Sequence, residues 1–279
     1  MAMSRLKNGH ITGIATMMQG KVTLPASTAE LQVQYKNAKP FPHLVLDNLF
    51  PAHTLEAMLA ELPPMSDDKW VHERDEQLVK SNLRSAVDLG PHGFQFAAFV
   101  NSAAFLYLLS EMTDIWALLG DPYLGGAGYH VVPAGGKFNI HADRNTDMAT
   151  GLFRRLAMLT YLNHDWDPAF GGQLELWNDD ATKCEKVVEP IFNRTLIMEI
   201  GDKNFHAVRP VVTNSRARRS FATYYHTVGE KDLKPHNSIY APSFYQKKQP
   251  FGKQLAKDWI PPFVLRILKS SKNDENGNK

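Results

Sequence analysis

The chain of 279 residues has a single cysteine, Cys184. No intramolecular disulfide can form, and a zinc site built from cysteines alone is excluded. Long apolar runs are also missing, so no segment reads as a membrane span. Charge is nearly balanced, at 31 Lys+Arg against 29 Asp+Glu. A net charge of +2 is too small to mark a bulk nucleic-acid binder. There are no internal repeats and no low-complexity tract. The first twenty residues carry early positive charge, but Thr12, Gly13 and Thr16 break their apolar stretch. They read as neither signal peptide nor anchor. With little cysteine and no targeting signal, a cytoplasmic location is the expectation.

What is present is the composition of a globular enzyme, 43% hydrophobic and 22% charged. Phe41–Pro51 reads as a short buried strand running into a helix, with Pro51 suited to the first turn. Leu55, Met58, Leu59 and Leu62 then recur at helical spacing. A second helix is expected from an Asn101 cap, through the stripe Phe105, Leu108, Leu109, Met112, Ile115, Trp116 and Leu119, to a stop at Gly120. After Gly125 the texture changes. Eight short β-prone runs follow: Tyr129–Val132, Lys137–Asp143, Leu156–Leu162, Gln173–Trp177, Lys186–Val188, Thr195–Ile200, His206–Val212 and Ser220–Thr227. The expectation is a mainly β fold with flanking helices, a double-sheet jelly roll. One domain would span 1–279. Within it, 1–124 would be a helical brace, 125–228 the jelly-roll core and 229–279 a basic extension. Residues 247–279 hold eight Lys/Arg against three Asp/Glu. Trp259–Lys269 could form an amphipathic helix that packs on the body, and Ser270–Lys279 a polar, frayed tail.

Chemistry concentrates in the late β region. In His141-Ala142-Asp143 the two donors are two residues apart, so a strand would aim both at one face. Alone the motif says little, since chance yields on the order of 0.7 such matches in this composition. His206, 65 residues further on, completes two histidines and a carboxylate. That set covers one face of an octahedral ion and leaves positions open, as non-haem Fe(II) oxygenases require. Arg218-Arg219-Ser220 follows. A guanidinium binds a carboxylate through two parallel hydrogen bonds, and Ser220 shares a strand face with Arg218. Arg218 is the preferred carboxylate ligand. Arg219 is the alternative, because a one-residue register shift exchanges the faces.

With these residues in view, 129–227 resembles the prolyl 4-hydroxylase-like branch of the 2-oxoglutarate/Fe(II)-dependent oxygenases. Leu159-Thr-Tyr-Leu-Asn-His-Asp-Trp-Asp167, followed by Gly171-Gly172, is similar to a stretch of the hypoxia-inducible-factor prolyl hydroxylases. Glu189–Arg194, an apolar strand, His206 and Arg218-x-Ser220 continue the likeness in order. The resemblance implies a double-stranded β-helix, with iron held by His141, Asp143 and His206. It implies that Arg218, with Ser220 and Tyr161, holds the far carboxylate of 2-oxoglutarate. O2 would be consumed, and ascorbate is expected as a stimulant. The activity implied is hydroxylation of an unactivated C–H bond, most naturally of a prolyl, proline-like or other amino-acid substrate, with succinate and CO2 as coproducts. The substrate would be a small molecule or a peptide, with no stable nucleic-acid partner. Other metabolites, sugars and nucleobases remain alternatives, as does a non-catalytic metal-binding module.

The family often places a cofactor-contacting tyrosine on the strand before the iron motif. Here that strand reads Tyr129-His130-Val131-Val132, so either Tyr129 or His130 could take the part. Trp166 and Trp177 suit packing better than a substrate wall. The loop Asn163–Gly172 is expected at the rim of the roll, with Arg144, Arg155 and Arg209 adding positive charge near its mouth.

Overall fold

The computed structural model describes residues 20–229 and 234–241. The N-terminal stretch 1–19, the expected helix Trp259–Lys269 and the tail lie outside the described residues. Twelve strands are assigned: β1 His43–Asp47, β2 Val71–Arg74, β3 Val79–Leu83, β4 Gly128–Val132, β5 Phe138–Ala142, β6 Phe153–Tyr161, β7 Leu174–Trp177, β8 Cys184–Val188, β9 Arg194–Glu199, β10 His206–Val208, β11 Arg218–Thr227 and β12 Ile239–Tyr240. They form two sheets, in the orders β1-β9-β6-β11-β4-β3-β2 and β12-β5-β10-β7-β8. Every strand pairing is antiparallel. Two facing antiparallel sheets with non-sequential neighbours make the jelly roll that the alternating runs predict. All eight runs after Gly125 are strands.

Sidedness along β11 shows how the sequence serves two purposes. Phe221 and Tyr225 pack with the helices α1 Thr28–Asn37, α2 Ala52–Ala60, α3 Gly90–Val100 and α4 Ala103–Thr113, which cover the larger sheet. Arg218, Ser220, Ala222 and Tyr224 lie on the opposite face, because strand side chains alternate. On β6, Leu156 and Met158 join the helical side, whereas Ala157 and Tyr161 join the core between the sheets. Phe221 is fully buried and meets Phe96 and Tyr129 edge-on, at centroid distances of 5.3 and 5.0 Å.

The reading of 1–124 as helical is incomplete. β1 is the strand expected within Phe41–Pro51, and β2 and β3 also extend the larger sheet. The β2–β3 hairpin is polar and lies at the sheet edge, so its sequence lacks the apolar alternation that marks a strand. Its turn is held by Asp75 Oδ1, which accepts from the amides of Gln77 and Leu78 at 2.6 and 2.9 Å. The expected helix from Asn101 to Gly120 is shorter than its stripe. Ser102 caps α4 by accepting from Phe105 N–H at 3.3 Å. The helix stops where Asp114 turns left-handed, φ 60°. Asn101 instead ties the segment that follows, accepting from Asp121 N–H at 2.6 Å. A Cβ at Gly120 would collide with that same carboxamide, so the glycine serves close approach rather than helix termination. The strand begun by His206 ends at Val208, two residues before Pro210, which has no amide proton for a ladder. Among the described residues no single helix is long and apolar enough to cross a membrane. The bent pair α3 and α4 has the composition, but its apolar face is covered by the larger sheet.

Two predictions follow from this packing. Phe221→Ala leaves an aromatic-sized void between sheet and helices. The variant is expected to lose about 3–5 kcal/mol of unfolding free energy in urea titration; a loss below 1 kcal/mol would contradict the packing described. His226, near the end of β11, is 2% exposed, and among the described residues neither ring nitrogen has a hydrogen-bond partner. Burial, then Arg154 nearby, lowers it to about 4 from the usual 6.5. Folding therefore keeps the ring neutral while the unfolded chain takes up a proton. Its contribution is complete above pH 6.5 and declines as pH falls from 6.5 to 4. His226→Phe is expected to flatten the melting temperature over that window relative to the parent chain.

Candidate active site

β5 and β10 are adjacent, and their register sets His141 directly opposite His206. Asp143 follows β5 two residues after His141 and points to the same side, as period-two geometry requires. The three buried side chains bring one donor atom each within 4.8 Å of one another. Each histidine has its other nitrogen engaged. His141 Nδ1 lies 2.8 Å from Asn139 O, and His206 Nδ1 lies 3.1 Å from Asn204 O. A carbonyl only accepts, so both Nδ1 atoms carry the proton, and a neutral ring then presents its lone pair at Nε2. The two Nε2 atoms face Asp143 Oδ1 at 3.3 and 3.8 Å. His141 Nε2 is buried with no hydrogen-bond partner. Three electron-pair donors turned on one point without a proton between them suit a cation, and this set accommodates a divalent metal.

Protonation favours the same outcome. Burial, and the neighbouring His141, push the His206 imidazole down to about 4, so it is neutral near pH 7. Burial opposes ionisation of Asp143, yet His206 and His141 beside it hold the carboxyl well below its usual range. Neutral imidazoles and an ionised carboxylate are the forms in which these groups ligate. Asp143 Oδ2 points away from the histidines and accepts from Tyr224 Oη at 3.4 Å. The Arg154 guanidinium lies over the Tyr224 ring, 4.1 Å from its centroid, and donates to Gly125 O.

A second group of polar atoms gathers around Arg218, which lines the same interior. Arg218 is 2% exposed, whereas Arg219 faces solvent, so the strand register turns Arg218 inward. Its Nε donates to Gly172 O at 2.8 Å, and its guanidinium carbon lies 4.9 Å from the Tyr161 ring centroid. Tyr161 sits directly across from Ser220. Among the described residues Arg218 Nη2, Tyr161 Oη and Ser220 Oγ are buried with no partner within hydrogen-bond distance, while the Arg218 charge and the Tyr161 hydroxyl act on one another. Burial works against the charge on Arg218, and among the described residues no carboxylate pairs with it. Three such donor groups fit an incoming carboxylate. The Gly171-Gly172 pair makes room: a side chain at Gly171 would strike Pro210 O, and a Cβ at Gly172 would press on Arg218 Cδ at 3.2 Å.

A narrow inner cavity of about 50 Å³ is lined by His141, Asp143, His206 and Arg218 together with Lys80, His130 and Tyr224. Of the two candidates on β4, His130 faces this cavity. Tyr129 instead packs under the helices, its hydroxyl donating to Met58 O at 3.4 Å. Lys80 and Tyr224 carried no sequence signal. Lys80 comes from the polar hairpin, and Tyr224 reads as one of several aromatics in β11.

Residues 127–226 match the model described as the 2OG-Fe(II) oxygenase superfamily. The match covers 100 of the 279 residues. A prolyl 3-hydroxylase, OGFOD1, of Xenopus laevis is 27% identical over 118 residues, 41% of this chain and 23% of that protein. Its Mus musculus counterpart is 25% identical over the same length, 21% of that protein. The chain thus aligns with under a quarter of these relatives. A Pseudomonas putida prolyl-4-hydroxylase superposes with TM-score 0.54 at 18% identity, covering 72% of this chain and all of that one. A Trichoplax adhaerens prolyl hydroxylase in complex with a hypoxia-inducible-factor peptide superposes with TM-score 0.50 at 18% identity, over 71% and 88% of the two chains. At such identities these superpositions establish the shared fold.

Both tryptophans pack as expected, whereas the Asn163–Gly172 loop and two of the three arginines lie away from the expected mouth. Trp166 is buried against Val132 and Val211, so the Asn163–Gly172 loop backs Arg218 rather than the open mouth. Trp177 packs with Ile140, Ala181 and Ala207. Arg155 pairs with Glu199 at 3.4 Å and Arg209 with Glu175 at 2.5 Å, and neither lines the mouth cavity. Arg144 does line it.

Tyr224→Phe is predicted to weaken manganese(II) binding roughly ten-fold, the scale on which partners of metal ligands act. Isothermal titration reads the effect directly, and an unchanged affinity would remove Tyr224 from the site.

Proposed function

We propose that this chain is a hydroxylase dependent on Fe(II) and 2-oxoglutarate. The observation that carries the reading is the closeness of two sets: lone pairs on His141, Asp143 and His206, and donors on Arg218, which lines the same cavity, with Tyr161 and Ser220 beside it. The first set calls for a cation and the second for a carboxylate, and 2-oxoglutarate in the company of iron meets both. Iron, 2-oxoglutarate and O2 together supply the oxidising power that puts a hydroxyl on an unactivated C–H bond, leaving succinate and CO2.

The protein's own part is binding and orientation. His141, Asp143 and His206 would hold the ion on one face. Their Nδ1–H bonds to Asn139 and Asn204 carbonyls lock the rings with Nε2 inward. Arg218 would orient the cosubstrate from its far end, with Gly172 O steadying the guanidinium. The two sheets exclude water from these groups, which strengthens each charge interaction. Ascorbate is expected to stimulate turnover by keeping iron ferrous. Prolyl or other amino-acid substrates are favoured by the names of the relatives that align with the core.

The test is succinate release from anaerobically iron-loaded protein supplied with 2-oxoglutarate and O2. Replacing His141, Asp143 or His206 with Ala should abolish both iron binding and succinate formation, with the fold retained. Arg218→Ala should raise the 2-oxoglutarate requirement by about one to two decades, since it removes a charge-assisted contact. Arg219→Ala should change it little. Full activity in any triad variant, or the reverse order of the arginines, would falsify the assignment.

A further inference from the structure

A separate and larger cavity, about 360 Å³, opens beside the metal triad and shares Lys80, Phe138, Asp143 and Tyr224 with the inner one. It falls within the size range of small-molecule sites. Its charged lining can be resolved pair by pair. Lys80 lies 3.7 Å from Glu73, its cross-strand neighbour. Arg154 lies 3.8 Å from Asp147 and covers the Tyr224 ring. Asp143 belongs to the triad. Arg84 and Arg144 remain. Among the described residues neither has an ion pair or a hydrogen bond, although both line the cavity. They also come from opposite walls. Arg84 directly follows β3 of the larger sheet, and Arg144 directly follows Asp143 beyond β5 of the smaller. Leu78, Phe138, Met148 and Tyr240 supply apolar surface in the same cavity.

We propose that this mouth is an oxyanion subsite. Arg84 and Arg144 grip a carboxylate or phosphate of the substrate from two sides, and so present its carbon skeleton to the metal. Guanidinium groups bind oxyanions through paired hydrogen bonds. A cleft with apolar walls concentrates the field of unneutralised cations. The site differs from the cosubstrate pocket, because Arg218 lines only the inner cavity. The placement next to the metal rests on the oxygenase reading; the anion site itself does not.

The experiment uses the full chain loaded with manganese(II) and saturating 2-oxoglutarate, so that the Arg218 pocket is filled. N-acetylproline, its uncharged amide and inorganic phosphate are titrated at constant ionic strength by calorimetry. Paramagnetic relaxation of the probe nuclei reports their approach to manganese. Saturable binding is expected for N-acetylproline, for phosphate, or for both, with none for the amide. A carboxylate-only or a phosphate-only result identifies the substrate's anionic group. Arg84→Gln and Arg144→Gln should each weaken that binding roughly ten- to hundred-fold. Manganese and 2-oxoglutarate affinities should stay unchanged, and Arg144→Lys should restore part of the loss. Equal binding of the amide, no saturable binding of either anion, or binding that survives the double Gln variant would overturn the proposal. Failure of manganese or 2-oxoglutarate to bind would instead count against the oxygenase reading. In that case saturable anion binding lost in the two arginine variants would still establish the mouth site.

Discussion

Two imidazole lone pairs and a carboxylate oxygen converge at the β5–β10 pairing, and the site is organised by what that convergence demands. Such donors repel one another in a buried place unless a cation lies between them. Much of the surrounding structure is arranged to keep them there. Backbone carbonyls of Asn139 and Asn204 take the Nδ1 protons. Tyr224 takes the far oxygen of Asp143, leaving the near one toward the histidines. Flanking pairs in the ladder set His206 across from His141. A slip of one residue would turn the histidine out of the roll.

The larger sheet reconciles this polar interior with a stable core through strand alternation. On β4, β6 and β11, one set of residues meets the helices in an apolar layer containing Tyr129, Met158 and Phe221. The other set carries His130, Tyr161, Arg218, Ser220 and Tyr224 toward the space between the sheets. Stability and chemistry thus use opposite faces of the same strands. Burying Arg218, which has no carboxylate partner among the described residues, is a cost that the rest of the fold offsets.

Charge is divided between two cavities in a similar way. Two of the four cations that line the opening are neutralised by a close neighbour: Lys80 by Glu73, Arg154 by Asp147. Away from it, Arg155 and Arg209 are drawn off by Glu199 and Glu175. The field at the opening is therefore set by few groups rather than by the overall balance of the chain, which is close to neutral.

Much of this could be read from the chain alone. The spacing of His141 and Asp143 is a strand signal, the eight runs after Gly125 carry their periodicity on the surface of the sequence, and Arg218-x-Ser220 shares a face for the same reason. These are local properties, governed by alternation of side chains along an extended backbone. Other features depended on packing. The β2–β3 hairpin is an edge element that buries little, so its sequence shows no apolar alternation, yet it delivers Lys80. Ser102 rather than Asn101 caps α4 because the Asn101 carboxamide is engaged by Asp121 N–H across 20 residues. The choice of Arg218 over Arg219, and of His130 over Tyr129, turns on which face of a strand looks inward. That is decided by pairing with neighbours distant in sequence. So is the fate of each arginine, because whether a cation is free depends on which carboxylate the fold brings within reach.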